Sequence, residues 1–142
     1  MKIEDIVRKK GSEGVTISAS ASIAELVDLL AEHNIGGVVV SADGRRIDGI
    51  ITERDVVRHL ATDGAPVLQR TVGELMTSQV LTCRPSDTLE ETAHTMTYSR
   101  IRHLPVARDG HLAGIVSIGD VVKYRIDQLT DERNHLLEYL HT

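Results

Sequence analysis

Two short segments of the chain carry a hydroxyl and a carboxylate three residues apart. Thr52 precedes Asp55, Ser117 precedes Asp120, and each pair follows a glycine and two apolar residues. A hydroxyl oxygen can accept a backbone N–H at the start of a helix, and the helix dipole favours an acid in the first turn. One pair alone would predict a helix cap. Two pairs at matched places favour a ligand-binding role over a simple cap.

Residues suited to catalysis do not form a recognisable set. The seven histidines show neither H-x-x-x-H nor H-E-x-x-H spacing, and Cys83, the single cysteine, has no histidine near it in the sequence. Neither a phosphate-binding P-loop nor a dinucleotide-binding G-x-G-x-x-G motif occurs. We therefore expect no enzymatic activity and no metal centre.

The composition argues against two classes of partner. The net charge is −5 and Phe and Trp are missing, whereas a general nucleic-acid binder needs basic residues and stacking rings. No stretch approaches the roughly 20 apolar residues of a membrane span. The chain starts with the acids Glu4 and Asp5 where a signal peptide would be apolar. With one cysteine, these features predict a soluble cytoplasmic protein.

The polar pairs belong to an internal duplication. Four segments of the first half return in the second half 65 or 66 residues later. The matching segments are 15–17 and 80–82, 35–40 and 101–106, 43–44 and 109–110, and 49–55 and 114–120. Repeats of this length indicate two supersecondary units that share a core. We place these units at residues 1–70 and 71–142.

Each unit has the same predicted order of elements, β-α-β-β-α, which is an α/β (α+β) fold. A helix cap is predicted at Ser22–Glu25 in the first unit and at Asp87–Glu90 in the second, each before apolar residues at helical spacing. Each Asp-Gly pair marks a hairpin turn. The predicted strands are 15–18, 35–40 and 47–51 in the first unit, and 80–83, 101–106 and 112–116 in the second.

A long helix is predicted to end the chain, from Asp120 to about Leu140. Its apolar residues recur at spacings of three, four and once seven: Val122, Ile126, Leu129, Leu136 and Leu140. Two interpretations stay open. The helix either lies on its own domain, or its apolar residues form an exposed seam that pairs with another chain.

The repeated Gly-apolar-apolar-(Thr/Ser)-x-x-Asp motif, each after an Asp-Gly hairpin, resembles tandem cystathionine-β-synthase-type (CBS) domains, the Bateman module. The resemblance covers roughly Val15 to Tyr124, and the C-terminal part is similar to free-standing bacterial two-repeat proteins. It implies two repeats packed sheet-to-sheet with pseudo-two-fold symmetry. It also implies that AMP, ADP, ATP, NAD(H) or S-adenosylmethionine binds between the repeats, and we expect AMP foremost.

The resemblance assigns candidate roles to individual residues. A ribose would meet the hydroxyls and carboxylates, because one carboxylate can accept from both sugar hydroxyls. Phosphates would meet basic side chains, and adenine would lie between aliphatic residues and backbone groups. The candidates are Ser117, Asp120, Thr52 and Asp55 for the ribose; Arg102, His103, Arg100, Lys9 and Lys10 for the phosphates; and Thr16, Ile17, Ile35, Gly36 and Ile115 for the adenine side.

We do not expect the two sites to bind a ligand with equal affinity. Gly36 and Gly37 occupy the positions that Arg102 and His103 hold in the second repeat. We therefore expect a stronger site at Ser117 and a weaker or empty one at Thr52.

The resemblance also implies an assembly. Two such chains would form a disc-shaped homodimer through residues 55–60 and 120–124, and ligand binding would change a surface that an effector protein contacts. The alternative function is a dimeric scaffold that binds protein partners without any nucleotide.

Overall fold

Two small sheets and six α-helices make up the described part of the chain, residues 1–11 and 14–141, in the computed structural model. The α-helices are α1 Ile3–Lys10, α2 Ile23–His33, α3 Glu53–Asp63, α4 Val72–Leu75, α5 Leu89–Ser99 and α6 Ile118–His141, with a 3-10 helix at Ala65–Gln69. The strands are β1 Thr16–Ile17, β2 Gly37–Val40, β3 Gly49–Thr52, β4 His103–Arg108 and β5 His111–Ser117. The mixed α and β class predicted from the sequence is confirmed.

The first repeat has a three-stranded sheet in the order β1-β2-β3. Strand β1 is parallel to β2, and β2 is antiparallel to β3 with Val40 opposite Gly49. All four residues of β2 are buried. Helix α2 covers the sheet with Ile23, Leu26 and Leu30, which gives this repeat its own aliphatic core.

The second repeat has a two-stranded sheet, the hairpin β4-β5. Its two-residue turn places Asp109 at φ 53° and Gly110 at φ 78°, the left-handed conformation that an Asp-Gly hairpin turn requires. The predicted strand 80–83 is reduced to one parallel bridge between Cys83 and Val106. It does not extend toward Val80, because the next bond of the parallel ladder would run from residue 105 to the carbonyl of Leu81, and Pro105 has no N–H to donate.

That bridge corrects the alignment of the repeats by one residue. Ile17 pairs with Val40 and Cys83 pairs with Val106, so Ile17 corresponds to Cys83 at an offset of 66. The spacing of the repeated segments in the sequence instead predicts that Ile17 corresponds to Thr82.

The helix caps agree with the prediction in the first repeat and differ in the second. Ser22 accepts a hydrogen bond from the Glu25 N–H at 3.1 Å, as predicted, but the Glu25 carboxylate does not complete the capping box with a bond back to the Ser22 N–H. Helix α5 is capped by Thr88 and Glu91, which exchange side-chain and backbone hydrogen bonds of 3.1 Å. The prediction of an Asp87–Glu90 cap is wrong because the Asp87 carboxylate stabilises the preceding turn.

Helix α1 was not predicted, and it packs on the second repeat. Ile3 and Ile6 are fully buried in the core that contains Leu104, Val106 and Val116. The Ile3 N–H also bonds to the carbonyl of Asp87 at 2.9 Å. In the opposite direction, Val72 and Leu75 of α4 belong to the first core. Packing therefore crosses the predicted boundary near residue 70 in both directions.

The repeats meet where β2 of one half faces β4 of the other. A Cβ placed on Gly37 would stand 3.0 Å from Cγ of His103, so the imidazole lies directly on this strand. A backbone hydrogen bond of 2.8 Å from Leu112 to Arg45 joins the two hairpins. None of the helices in the described residues is both long enough and apolar enough to span a bilayer.

Candidate functional site

Two cavities open at the junction of the repeats, one for each copy of the hydroxyl–carboxylate pair. Cavity 1 has a volume of about 510 Å³ and contains Ser117 and Asp120 in its wall. Cavity 2 has a volume of about 410 Å³ and contains Thr52 and Asp55. Both volumes lie within the usual range of small-molecule sites. The duplication therefore produces two related pockets.

In cavity 1 the Ser117–Asp120 pair caps helix α6. Asp120 Oδ2 accepts the Ser117 N–H at 2.9 Å, and Ser117 Oγ accepts the Asp120 N–H at 3.1 Å. Every hydrogen bond that the described residues donate to this carboxylate falls on Oδ2. Capping therefore leaves Oδ1 as an acceptor for a ligand.

Cavity 2 repeats this arrangement at the start of α3. Asp55 Oδ2 accepts the Thr52 N–H at 2.9 Å and the Thr52 hydroxyl at 3.1 Å. Thr52 Oγ1 in turn accepts the Asp55 N–H at 3.3 Å. The cap and the pocket wall are thus formed by the same residues, and the two interpretations of the motif are compatible.

Lys10 reaches into cavity 1 from the end of α1. Its ammonium group donates to Asp120 Oδ2 at 2.7 Å and to the Ile115 carbonyl at 3.0 Å. Burial alone would raise the pKa of Asp120, but the hydrogen bonds from Lys10 and Ser117 outweigh it and hold that pKa below its ordinary value. Asp120 is therefore an anion whose charge Lys10 balances, which leaves Lys10 with little charge for a phosphate.

Lys9 points elsewhere. Its ammonium group stands 5.5 Å from the ring centroid of Tyr124, beside a separate surface cavity. Lys9 was a phosphate candidate from the sequence, but it lines neither cavity, because successive helical residues point in different directions.

His103 lies between the cavities and lines both. Burial lowers the pKa of this imidazole; Lys10 and Arg102 act in the same direction, and the carboxylates of Glu53 and Asp120 oppose it. The shift favours the neutral form of the imidazole, which can donate a hydrogen bond to a ligand.

Arginine is concentrated in cavity 2. Arg100 and Arg102 were candidates from the sequence, and the cavity also contains Arg54 and Arg58. Among the described residues, Arg102 is the one arginine in the wall of cavity 1. Sequence reasoning missed Arg54 and Arg58, although their i, i+4 spacing beside Asp55 places them on one side of α3.

Three of the five residues expected on the adenine side line a cavity, and two do not. Ile35, Gly36 and Ile115 line cavity 1. Thr16 and Ile17 line neither cavity, and Ile17 is instead buried in the first core. The preceding residues Gly14 and Val15 line cavity 1 instead.

Glu53 is a further acid that the sequence analysis overlooked. It lines both cavities, and a Cβ on Gly36 would stand 3.1 Å from its Oε1. Its carboxylate opposes the binding of a highly anionic ligand, most strongly in cavity 1, where fewer arginines offset it.

Cys83 lies in the core, away from both cavities. Burial, with a smaller effect from Asp87, raises the pKa of this thiol to about 12, so it is not a reactive thiolate. No group of His, Cys, Asp or Glu within residues 1–11 and 14–141 has the arrangement of a metal site.

Comparisons with known proteins agree with this architecture. The family model "CBS domain" matches residues 3–62 and 72–127. The CBS-domain containing protein ATU1752 from Agrobacterium tumefaciens is 42% identical, with a TM-score of 0.84 over 88% of this chain and 99% of that chain.

Two similar structures contain adenosine compounds. The CBS domain pair of protein MJ0100, in complex with 5′-methylthioadenosine and S-adenosyl-L-methionine, is 26% identical with a TM-score of 0.80 over 90% of this chain and 98% of that chain. CBSX2 in complex with AMP is 27% identical with a TM-score of 0.72 over 89% of this chain and 96% of that chain. Since each half of the duplication matches the same family and the whole pair matches these structures, the chain belongs to the CBS domain family as a tandem pair.

Proposed function

We propose that this chain is a regulatory module that binds an adenine nucleotide or a related adenosine compound between its two CBS repeats. The observation that carries this proposal is the pair of cavities, each with an aspartate that caps a helix through Oδ2 and keeps Oδ1 available. A carboxylate oxygen in this position can accept from ribose hydroxyls. Similar domain pairs hold AMP, methylthioadenosine or S-adenosylmethionine, which supports the ligand class.

The charged side chains suit each cavity to a different kind of ligand. Cavity 2 contains four arginines against the acids Glu53 and Asp55, so it suits a phosphate-bearing ligand such as AMP, ADP, ATP or NAD(H). Cavity 1 contains Lys10 and Arg102 against Glu53 and Asp120, and Lys10 already bonds to Asp120. It suits an adenosine compound without phosphates. This reverses the expectation that the Ser117 site would be the stronger one for AMP.

Binding would act as a switch. Both cavities are walled by residues from the two repeats, so a ligand that bridges them favours one relative orientation of the repeats. A homodimer through the helices that end each repeat would transmit this change. Val57 on α3 and Val122 on α6 are 63% and 50% exposed, which supports an apolar contact there. An effector protein would then recognise the altered surface.

Ligand-dependent stabilisation tests the proposal. Melting temperature and calorimetric affinity should be measured with adenosine, 5′-methylthioadenosine, S-adenosylmethionine, AMP, ATP and NADH, with GMP as the control for the base. A ligand that binds the native state raises the melting temperature, and we expect this for AMP and methylthioadenosine but not for GMP. If no adenosine compound raises it at millimolar concentration, the ligand-independent scaffold is the better description.

A further inference from the structure

Helix α1 brings a lysine to the carboxylate that we assign to the ribose in cavity 1. A Cβ placed on Gly114 of β5 would stand 3.0 Å from Cγ1 of Val7, so the helix lies directly on this strand. Lys10 follows about one turn later and donates to Asp120 Oδ2 at 2.7 Å and to the Ile115 carbonyl at 3.0 Å. The packing of α1 on β5 therefore sets the position of this lysine.

The ion pair between Lys10 and Asp120 is partly shielded from water. The two side chains are 34% and 18% exposed, and an ion pair that is partly buried is screened less than one on the surface. The lysine bonds to Oδ2, so Oδ1 can still accept from a ribose. Lysine and ribose can therefore share the carboxylate, and the ligand meets an acid whose charge is already balanced.

The corresponding aspartate of cavity 2 has no such lysine. Among the described residues, the carboxylate of Asp55 accepts hydrogen bonds from Thr52 alone. The strand position that α1 covers in the second repeat corresponds to Gly49 in the first, where a Cβ would stand 2.9 Å from the Thr77 carbonyl oxygen. The side chain of Thr77 carries no charge. The balancing cation is therefore a feature of cavity 1 and not of the duplicated motif.

The adenosine compounds without phosphates differ in charge close to the ribose. In S-adenosylmethionine the sulfur on the 5′ carbon is a positive sulfonium, whereas in 5′-methylthioadenosine and S-adenosylhomocysteine it is a neutral thioether. A cation that leaves water for a cavity needs a compensating acid. In cavity 1 Lys10 already balances Asp120, and among the described residues of the same wall Arg102 offsets Glu53. The wall therefore favours the thioether over the sulfonium.

We infer that Lys10 is a specificity-determining residue, which makes cavity 1 accept neutral adenosine thioethers in preference to the sulfonium cation of S-adenosylmethionine. The inference rests on the proposed function, because it requires that cavity 1 bind the ribose of an adenosine compound. It adds that the charge selection comes from α1, outside the repeated motif.

The affinities for S-adenosylhomocysteine and S-adenosylmethionine test this inference, because these ligands differ by one methyl group and one positive charge. Calorimetry should use the full chain with Asp55→Ala as the parent protein, which lacks the corresponding carboxylate of cavity 2. We expect Lys10→Met to shift the ratio of the two affinities by about fivefold or more toward S-adenosylmethionine, since it leaves Asp120 unbalanced in a partly shielded site. Lys10→Arg keeps the positive charge, so its ratio should stay within about twofold of the parent.

Lys9→Met is the matched control. It removes the same charge from the adjacent residue, whose ammonium group stands 5.5 Å from the ring centroid of Tyr124 and which lines neither cavity. We expect this variant to keep the ratio of the parent. An equal shift in Lys9→Met and Lys10→Met would reveal an effect of net charge alone and would overturn the inference. If both compounds bind and Lys10→Met leaves their ratio unchanged, the inference fails while the proposed function stands. If neither compound binds the parent protein, the proposed use of cavity 1 fails and the inference fails with it.

Discussion

The imidazole of His103 rests on Gly37, the residue to which it corresponds in the other repeat. A Cβ built on Gly37 would stand 3.0 Å from His103 Cγ, 3.1 Å from His103 Cδ2 and 3.1 Å from Thr52 Cγ2. Because corresponding residues of the two repeats touch here, the pseudo-two-fold axis that relates the repeats passes near this contact. One cavity lies on each side of it. The two halves have diverged here into complementary shapes, since a ring in one repeat requires a glycine in the other.

Replacement of Gly37 by alanine should destabilise the protein. The added methyl group would overlap the His103 ring and the Thr52 methyl group, and overpacking of this kind costs about 1–3 kcal/mol. The free energy of unfolding from urea titrations measures the loss. Gly14→Ala is the matched control, because a Cβ there meets nothing within 4 Å. The double variant Gly37→Ala with His103→Ala should recover part of the loss, and strict additivity of the two changes would contradict the contact.

Asp120→Ala should weaken the binding of methylthioadenosine by roughly 10- to 100-fold, which corresponds to about 1.4–2.8 kcal/mol. The variant removes the carboxylate that we assign to the ribose hydroxyls in cavity 1. Asp87→Ala is the control, since it deletes a similar turn-stabilising carboxylate, 2.8 Å from the Arg84 N–H, outside both cavities. Isothermal titration calorimetry compares the two. Equal affinity in Asp120→Ala and the wild type would remove Asp120 from the site.

The sequence predicted more of the fold than of the charges in the site. The duplication, the Asp-Gly hairpins and the capping of α2 by Ser22 could be predicted directly, because they depend on local spacing. Helix α1 could not, since only its contact with the second core, through Ile3 and Ile6, explains its position. The same tertiary contact brings Lys10 to Asp120, so the electrostatics of cavity 1 follow from packing between distant segments. Arg58 enters cavity 2 through the orientation of α3, which the motif alone does not specify.

Arg58→Ala should lower the affinity for AMP at least tenfold and the affinity for adenosine less than twofold. Its guanidinium group lines cavity 2 with Arg54, Arg100 and Arg102, and a hydrogen bond to a charged group contributes about 1.5–3 kcal/mol. Arg46→Ala provides the comparison, because that exposed side chain pairs with Asp48 away from both cavities. Calorimetry with both ligands at two salt concentrations measures the effect. Similar losses for AMP and adenosine would argue against a phosphate contact at Arg58.

His103 should make the stability of the protein depend on pH in the mildly acidic range. Burial holds the pKa of its ring below the ordinary value, so the unfolded chain binds this proton more readily than the native protein does. The stability contributed by the neutral buried ring is therefore fully present above the unfolded pKa near 6.5 and declines as pH falls below it. The urea midpoint of the wild type should fall between pH 7.5 and pH 5.5, and the midpoint of His103→Gln, which cannot be protonated, should fall less. If the two proteins lose stability equally over this interval, the imidazole is protonated as readily in the native protein as in the unfolded chain, and a charged His103 again becomes available to a phosphate.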